Sequence, residues 1–210
     1  LSAEAQARLE AMKVPPGWRA VELNADPEAA LQVRARDSKD RYVYRYSAEH
    51  SEEAAAEKFA RLAAFNSRMP TVQRDSLRDM ITESHSAERR DTAAATYLIS
   101  RTGLRVGSTA DTGAEVQAYG ATTLLGRHVT VSGDRIQLEF TGKKGVELSH
   151  ELRDAELARY IGAKGAKGDT QVFNTSDTRV REYFKGIAGD DFKVKDMRTW
   201  HGTATALREV

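Results

Sequence analysis

The sequence contains no cysteine and no long apolar run, and both absences narrow the classes of function. Without cysteine among its 210 residues, the chain forms no disulfide, no thiolate zinc site and no cysteine nucleophile. No stretch approaches the roughly eighteen consecutive apolar residues of a membrane-spanning helix. The amino terminus also lacks the apolar segment of a signal peptide. We therefore expect a soluble intracellular protein that does not associate with membranes.

The chain also lacks a large excess of charge of either sign, but its charged residues are unevenly distributed along the sequence. Lys and Arg number 32 against 31 for Asp and Glu, so the net charge of +1 gives no bulk sign of a polyanionic partner. The segment from Arg34 to Tyr46, however, contains five basic residues and three tyrosines but only two acidic residues. Such interleaving of bases and aromatics is typical of a nucleic-acid contact. The five histidines show no metal-ligand spacing, so we expect no metal.

Hydrophobic periodicity predicts an α+β fold with two domains. Residues 1–48 hold two alternating runs around the turn-forming residues 37–40, which predicts a small β-rich module. Residues 49–210 predict a mainly helical domain with a three-stranded antiparallel sheet. The predicted helices cover about 51–65, 70–82, 87–101, 154–163, 177–187 and 196 onward, with Pro70 opening the second, and the predicted strands cover 129–131, 136–140 and 146–148.

Three separated cations stand in settings that suit phosphate binding. Arg105 is flanked by glycines just after a predicted buried helix, and Lys143 lies at the tip of a Gly-Lys-Lys-Gly hairpin turn. Arg198 opens a segment in which Met197, Trp200 and Leu207 recur at helical spacing, which predicts that these three face the core. Each cation alone is more often a solvated surface residue. Lys144 is a rival to Lys143 on pattern, although the spacing after Phe140 favours Lys143.

The ordered set of motifs resembles one enzyme family, the type IB DNA topoisomerases. The order of all five matching segments along residues 14–207 is the order found in that family. Lys195–Thr203 resembles the family's second catalytic arginine segment, Phe140–Lys143 its catalytic lysine hairpin, Leu104–Gly107 followed by Tyr119–Leu124 its first arginine segment, and Val14–Trp18 with Leu31–Tyr46 its amino-terminal domain.

The resemblance implies a reaction that requires neither ATP nor a cofactor. A tyrosine hydroxyl attacks a DNA phosphodiester to form a 3′-phosphotyrosine, strand rotation relaxes supercoils, and the reverse step reseals the nick. Arg105 and Arg198 would stabilise the added charge on the non-bridging oxygens of the transition state. Lys143 would donate a proton to the departing 5′-oxygen, with Arg105 assisting. The enzyme would be a DNA isomerase.

The resemblance also implies double-stranded DNA as the partner of a monomeric enzyme. The module of residues 1–48 would close on the duplex and contact its backbone or groove through Arg41, Tyr44, Arg45 and Tyr46. Lys144 would add a contact from the hairpin of the larger domain. For a bacterial source, the expected location is the cytoplasm, in association with the nucleoid.

One departure from the family pattern concerns the nucleophile. In the family, a histidine or asparagine and then the nucleophilic tyrosine follow the second arginine, whereas all seven tyrosines here precede Arg198. His201 is also misplaced for the fourth phosphate-contacting residue. We therefore expect a domain that is incomplete at its carboxyl end, without a nucleophile, and a chain that binds DNA without cleaving it.

Two alternatives remain at this point. Tyrosine recombinases share related chemistry but carry a histidine three residues before their second arginine, where this chain has Lys195. A module that only binds DNA would retain the scaffold without catalysis. The segment Pro15-Pro16-Gly17-Trp18 together with Lys195 favours the topoisomerase.

Overall fold

The computed structural model describes residues 2–109 and 116–207 and confirms the α+β class. Two compact units are present, Leu1–Ala60 and Arg61–Val210. The helices are α1 (Ala3–Ala11), α2 (Ala48–Ile81), α3 (Ala87–Thr102), α4 (Ala155–Lys164), α5 (Asp177–Ala188) and α6 (Val194–Ala206). The strands are β1 (Arg19–Leu23), β2 (Leu31–Arg36), β3 (Tyr42–Tyr46), β4 (Val129–Ser132), β5 (Arg135–Thr141) and β6 (Glu147–Arg153).

The first unit contains an antiparallel sheet in the order β1-β2-β3. Side chains alternate between the two faces of a strand, so Val33 and Ala35 are buried on one face while Arg34 is exposed on the other. The turn between β2 and β3 is stabilised by Asp37, whose carboxylate accepts hydrogen bonds from the backbone amides of Lys39 and Arg41. The hairpin predicted from the alternating runs is therefore present.

The core of the second unit is organised around α3. Every residue from Asp91 to Ser100 is buried, because small and aliphatic side chains let neighbours approach this helix from all sides. Helices α4, α5 and α6 and strand β6 all contact it. As the central element, α3 fixes the position of the loop that follows it.

Helix α2 corrects one expectation from the sequence. We predicted that Pro70 begins a new helix, but α2 continues through this residue without interruption. A proline inside a helix removes one backbone hydrogen bond and costs about 3 kcal/mol. Phe65, Met69 and Val72, on both sides of Pro70, are buried in the core of the second unit, and their burial offsets that cost.

The second sheet has the order β4-β5-β6 and is antiparallel, as predicted. Its buried face consists of Ile136, Leu138 and Phe140 from β5. Strand β6 extends to Arg153, further than the predicted end at residue 148. The turn between β5 and β6 carries the two lysines of the Gly-Lys-Lys-Gly motif.

A buried carboxylate joins α3 to α4. The fully buried side chain of Asp91 accepts hydrogen bonds from the Tyr160 hydroxyl (2.7 Å) and from the Asn174 backbone amide (2.8 Å). It also forms an ion pair with the Lys164 ammonium. Because all its partners are present, the buried charge holds these helices in one arrangement.

Candidate active site

The backbone around Arg105 is held on both sides. Helix α3 is capped by Gly103, whose amide donates to the Ile99 carbonyl and whose left-handed conformation (φ 69°) turns the chain out of the helix. Two residues later, the Arg105 carbonyl accepts a hydrogen bond from the Ala121 amide at 2.9 Å. The Arg105 side chain itself is exposed. A fixed backbone with a free guanidinium group suits phosphate binding.

A close approach of two glycines makes this arrangement possible. A Cβ added to Gly120 would lie 2.5 Å from the Gly107 nitrogen and 2.7 Å from the Arg105 oxygen. Such distances are too short for any side chain at residue 120. Glycine is therefore required there for the segment of residues 119–122 to lie against the backbone of Arg105.

The same segment reaches the strand that leads to Lys143. The Tyr119 amide donates to the Thr141 carbonyl at the end of β5, at 2.9 Å. The turn that follows is closed by a hydrogen bond from the Gly142 amide to the Val146 carbonyl, and Lys143 is exposed. Segment 119–122 thus connects the backbones that carry Arg105 and Lys143.

Arg198 lies in the second turn of α6. The helix begins at Val194, two residues before the predicted start, and the Asp196 carboxylate accepts a hydrogen bond from the Lys193 amide (2.9 Å). Asp196 also pairs with Arg61, and Met197 is fully buried. The prediction that Leu207 faces the core is wrong, because this residue caps the end of the helix and is 74% exposed.

Arg105 and Arg198 interact electrostatically. Partial desolvation and the charge of Arg105 both lower the pKa of Arg198. Within residues 2–109 and 116–207, neither guanidinium group has a hydrogen bond or an ion pair. Like charges that have no counter-charge among the described residues destabilise the free protein, so an anion bound near both would be stabilised.

Among the described residues, Lys143 is connected to Arg105 through backbone hydrogen bonds. Its ammonium group makes no hydrogen bond or ion pair with any other residue that the structure describes. Lys144 is also exposed and adopts the left-handed region (φ 66°) in the same turn. The structure thus brings Arg105 and Arg198 together and connects Lys143 to Arg105 through residues 119–122.

His201, three residues after Arg198, and His150, which interacts with His201, were not recognised from the sequence as part of this region. His201 lies three residues after Arg198 on α6, and its Nε2 is 2.6 Å from the Ser100 carbonyl of α3. Burial and the neighbouring His201 lower the pKa of His150 on β6. The three-residue spacing between Arg198 and His201, which places both on one side of a helix, was the available signal.

In the first unit, the predicted DNA-binding residues do not share one face. Tyr44 and Tyr46 are 42% and 45% exposed on the same face of β3. Arg45 points to the other face, where its guanidinium group stacks over Trp18 at 4.4 Å. Arg41 lies in the turn and forms an ion pair of 2.6 Å with Asp37.

In the described ranges, no group of three histidine, aspartate or glutamate side chains is arranged to hold a metal ion. Across the same residues, no helix combines the length and the apolar character needed to cross a lipid bilayer.

Comparison with known proteins identifies relatives of this chain. The sequence profile of the family described as "Eukaryotic DNA topoisomerase I, catalytic core" matches residues 47–210. DNA topoisomerase 1B of Acanthamoeba polyphaga mimivirus is 27% identical over 208 residues, which cover 92% of this chain and 61% of that protein. The chain therefore spans about 61% of the length of this relative.

Proposed function

Because this chain belongs to the type IB DNA topoisomerase family, we propose that Arg105 and Arg198 bind one phosphate of the DNA backbone. The complete protein would relax supercoiled DNA by transient cleavage of one strand. The observation that carries this proposal is the electrostatic interaction between two exposed guanidinium groups that have no counter-charge among the described residues. A phosphodiester would supply the missing negative charge.

The reaction explains why two arginines are needed at one phosphate. As a tyrosine oxygen forms a bond to phosphorus and the bond to the 5′-oxygen breaks, negative charge accumulates on the non-bridging oxygens. Guanidinium groups fixed in place beforehand stabilise this charge more than that of the unreacted diester. Bond formation and cleavage conserve the energy of the linkage, so neither ATP nor a metal is required.

Lys143 is proposed to protonate the departing 5′-oxygen. Its position at an exposed turn supports this role, because the ammonium group is not engaged by another described residue. The hydrogen bond from Tyr119 to Thr141 connects its strand to the segment that holds Arg105. Lys144, exposed beside it, would contact a neighbouring phosphate.

Three of the four tyrosines of the second unit, all but Tyr119, are unsuited to act as the nucleophile. The hydroxyls of Tyr97, Tyr160 and Tyr183 are hydrogen-bonded to Asp154, Asp91 and Asp79, respectively. Burial, together with these carboxylates, raises the pKa of all three. A raised pKa disfavours the phenolate, so none of these hydroxyls is suited to attack. We infer that this chain binds DNA but does not cleave it.

The exposed face of the first sheet supplies the proposed second contact with DNA. Tyr44 lies opposite Arg34 in the register of β2 and β3, and Tyr42 lies opposite Arg36. The Arg36 guanidinium group stacks over the Tyr42 ring at 3.7 Å. Tyr44 and Tyr46 are therefore the residues of β3 that we propose contact double-stranded DNA, with Arg41 at the adjoining turn. Arg45 is proposed to support Trp18 instead.

All three cations belong to one polypeptide, so the proposed site needs no second subunit and a monomer is sufficient. Action on DNA places the protein in the compartment that holds DNA, which is the nucleoid-containing cytoplasm if the source is bacterial.

The test is relaxation of supercoiled plasmid by the complete gene product without ATP or magnesium. Arg198→Ala should abolish relaxation, and Arg105→Ala and Lys143→Ala should reduce it severely. A substrate whose 5′-oxygen is replaced by sulfur, a better leaving group, should rescue cleavage by Lys143→Ala. If the complete protein binds DNA without relaxing it, the DNA-binding module is the correct alternative. Wild-type rates in the three variants would remove the site assignment.

A further inference from the structure

His201 connects the helix that carries Arg198 to the loop that carries Arg105. Its Nε2 lies 2.6 Å from the Ser100 carbonyl, in the last full turn of α3. A carbonyl oxygen only accepts, so Nε2 of His201 is the donor. Its Cβ would be 2.8 Å from a Cβ added to Gly103, so the histidine lies directly against the residue that ends α3.

This contact matters because the two arginines cannot fix their own separation. Like charges repel, and neither guanidinium group has another polar contact among the residues described. The distance between them is therefore set by the elements that carry them. Gly103 precedes Arg105 by two residues, and His201 follows Arg198 by three, so the contact between Gly103 and His201 lies close to both.

A third element interacts electrostatically with the same imidazole. His150 on β6 interacts electrostatically with His201, and it pairs in register with Leu138 on β5. Strand β5 leads directly into the turn of Lys143. His201 therefore lies on the helix of Arg198, contacts the end of the helix that precedes Arg105, and interacts electrostatically with the sheet whose β5–β6 turn carries Lys143.

We propose that His201 is a positioning residue that sets the separation of Arg105 and Arg198 by holding the end of α3 against α6. The inference rests on the proposed function of the two arginines. Misplacing a reacting group by about 1 Å costs up to about 100-fold in rate. Loss of the His201 contact should therefore slow the chemical step while leaving DNA affinity, which depends on many other contacts, unchanged.

The experiment uses the complete protein and a nicked duplex whose cleaved strand cannot be resealed. His201→Leu keeps the bulk of the side chain but removes the donor, and it should slow single-turnover cleavage by about 10- to 100-fold at unchanged Kd. His201→Gln places an amide nitrogen the same number of bonds from Cα and should recover most of the rate. If His201→Leu does not fold, His201→Asn, whose amide is one bond shorter, should be slower than His201→Gln.

The matched control is Tyr160→Phe, which removes a buried hydrogen bond to Asp91 in the same unit. It should lower Tm without changing the cleavage rate. Equal cleavage rates for His201→Leu and wild type, or no advantage of His201→Gln over the other His201 variants, would overturn the inference. If Arg105→Ala and Arg198→Ala also cleave normally, the proposed function itself has failed, so the two failures are distinguishable.

Discussion

The charge of Arg105 lowers the pKa of Arg198, although 92 intervening residues separate the two in sequence and different elements carry them. Neither has a counter-charge among the residues that the structure describes. Other arginines of this unit are paired, for example Arg89 with Asp79 and Arg101 with Asp154. Proteins tolerate an unfavourable local arrangement chiefly at functional sites, and this is why we assign the pair to phosphate binding.

Arg105 and Arg198 should contribute directly to the salt dependence of DNA binding. Each phosphate contact that is lost should weaken binding and reduce the slope of log K against log salt by about 1. We therefore expect shallower slopes for Arg105→Ala and Arg198→Ala, measured by fluorescence anisotropy of a labelled duplex over a series of salt concentrations. The control is Arg159→Ala, since Arg159 is already paired with Glu156. Slopes equal to wild type in both site variants would exclude phosphate contacts.

Gly103→Ala should destabilise the protein more than the matched change Gly165→Ala. Both glycines end helices in the left-handed region, with φ of 69° and 62°. At Gly165 the added methyl group has open space, so only the conformational cost of about 1–2 kcal/mol for a left-handed alanine applies. At Gly103 it would lie 2.8 Å from the His201 Cβ. Urea unfolding of the two variants isolates this steric cost, and equal losses would contradict the close contact.

The stabilisation that ionised Asp79 provides should be lost in acid. Burial alone would raise the pKa of this carboxyl, but ion pairs with Arg89 and Arg78 outweigh burial and hold its pKa below the ordinary value. Because its pKa is lower in the folded protein, the ionised carboxylate of Asp79 stabilises the fold at pH values above the unfolded pKa of about 3.9. This contribution is lost as the pH falls through the folded pKa.

The variant Asp79→Asn measures this contribution. At neutral pH it should cost about 1–3 kcal/mol of unfolding free energy, because hydrogen bonds to charged groups are lost. The difference from wild type should shrink as the pH falls below the unfolded pKa of about 3.9. Urea unfolding at neutral and acidic pH tests this, and a difference that stays constant with pH would contradict the assignment.

Periodicity predicted the elements well where local pattern and packing agree. The predicted helix of residues 87–101 corresponds to α3, and the predicted meander corresponds to β4-β5-β6. Pro70 was misread because the local rule that proline starts a helix ignores the buried residues on both sides. The prediction for Leu207 was wrong because the helical spacing of apolar residues continues beyond the part of α6 that packs against the core.

The sequence suggests residues for the candidate site, but it does not reveal the contacts that hold those residues in place. Arg105, Lys143 and Arg198 were selected because their motifs resemble one family in the same order. The contact between His201 and Gly103 joins residues about a hundred positions apart, and no local pattern encodes which residues meet at that distance in sequence. The close approach of Gly107 and Gly120 could not be predicted from the sequence for the same reason.

Gly120→Ala should impair the site through the backbone of Arg105. The φ of Gly120 is −157°, an extended conformation open to any residue, so the substitution causes no conformational strain. The new methyl group would instead lie 2.7 Å from the Arg105 oxygen, and the segment would have to move away. Because Ala121 donates to that oxygen, the movement would also displace Arg105.

We expect Gly120→Ala to slow relaxation by the complete protein by at least about 10-fold, equivalent to about 1.4 kcal/mol. Its control is Gly186→Ala, in the exposed interior of α5, where the added methyl group meets nothing within 4 Å. Alanine favours a helix over glycine by about 1 kcal/mol, so Gly186→Ala should raise Tm and leave relaxation unchanged. Normal relaxation by a folded Gly120→Ala variant would show that the position of Arg105 does not depend on this contact.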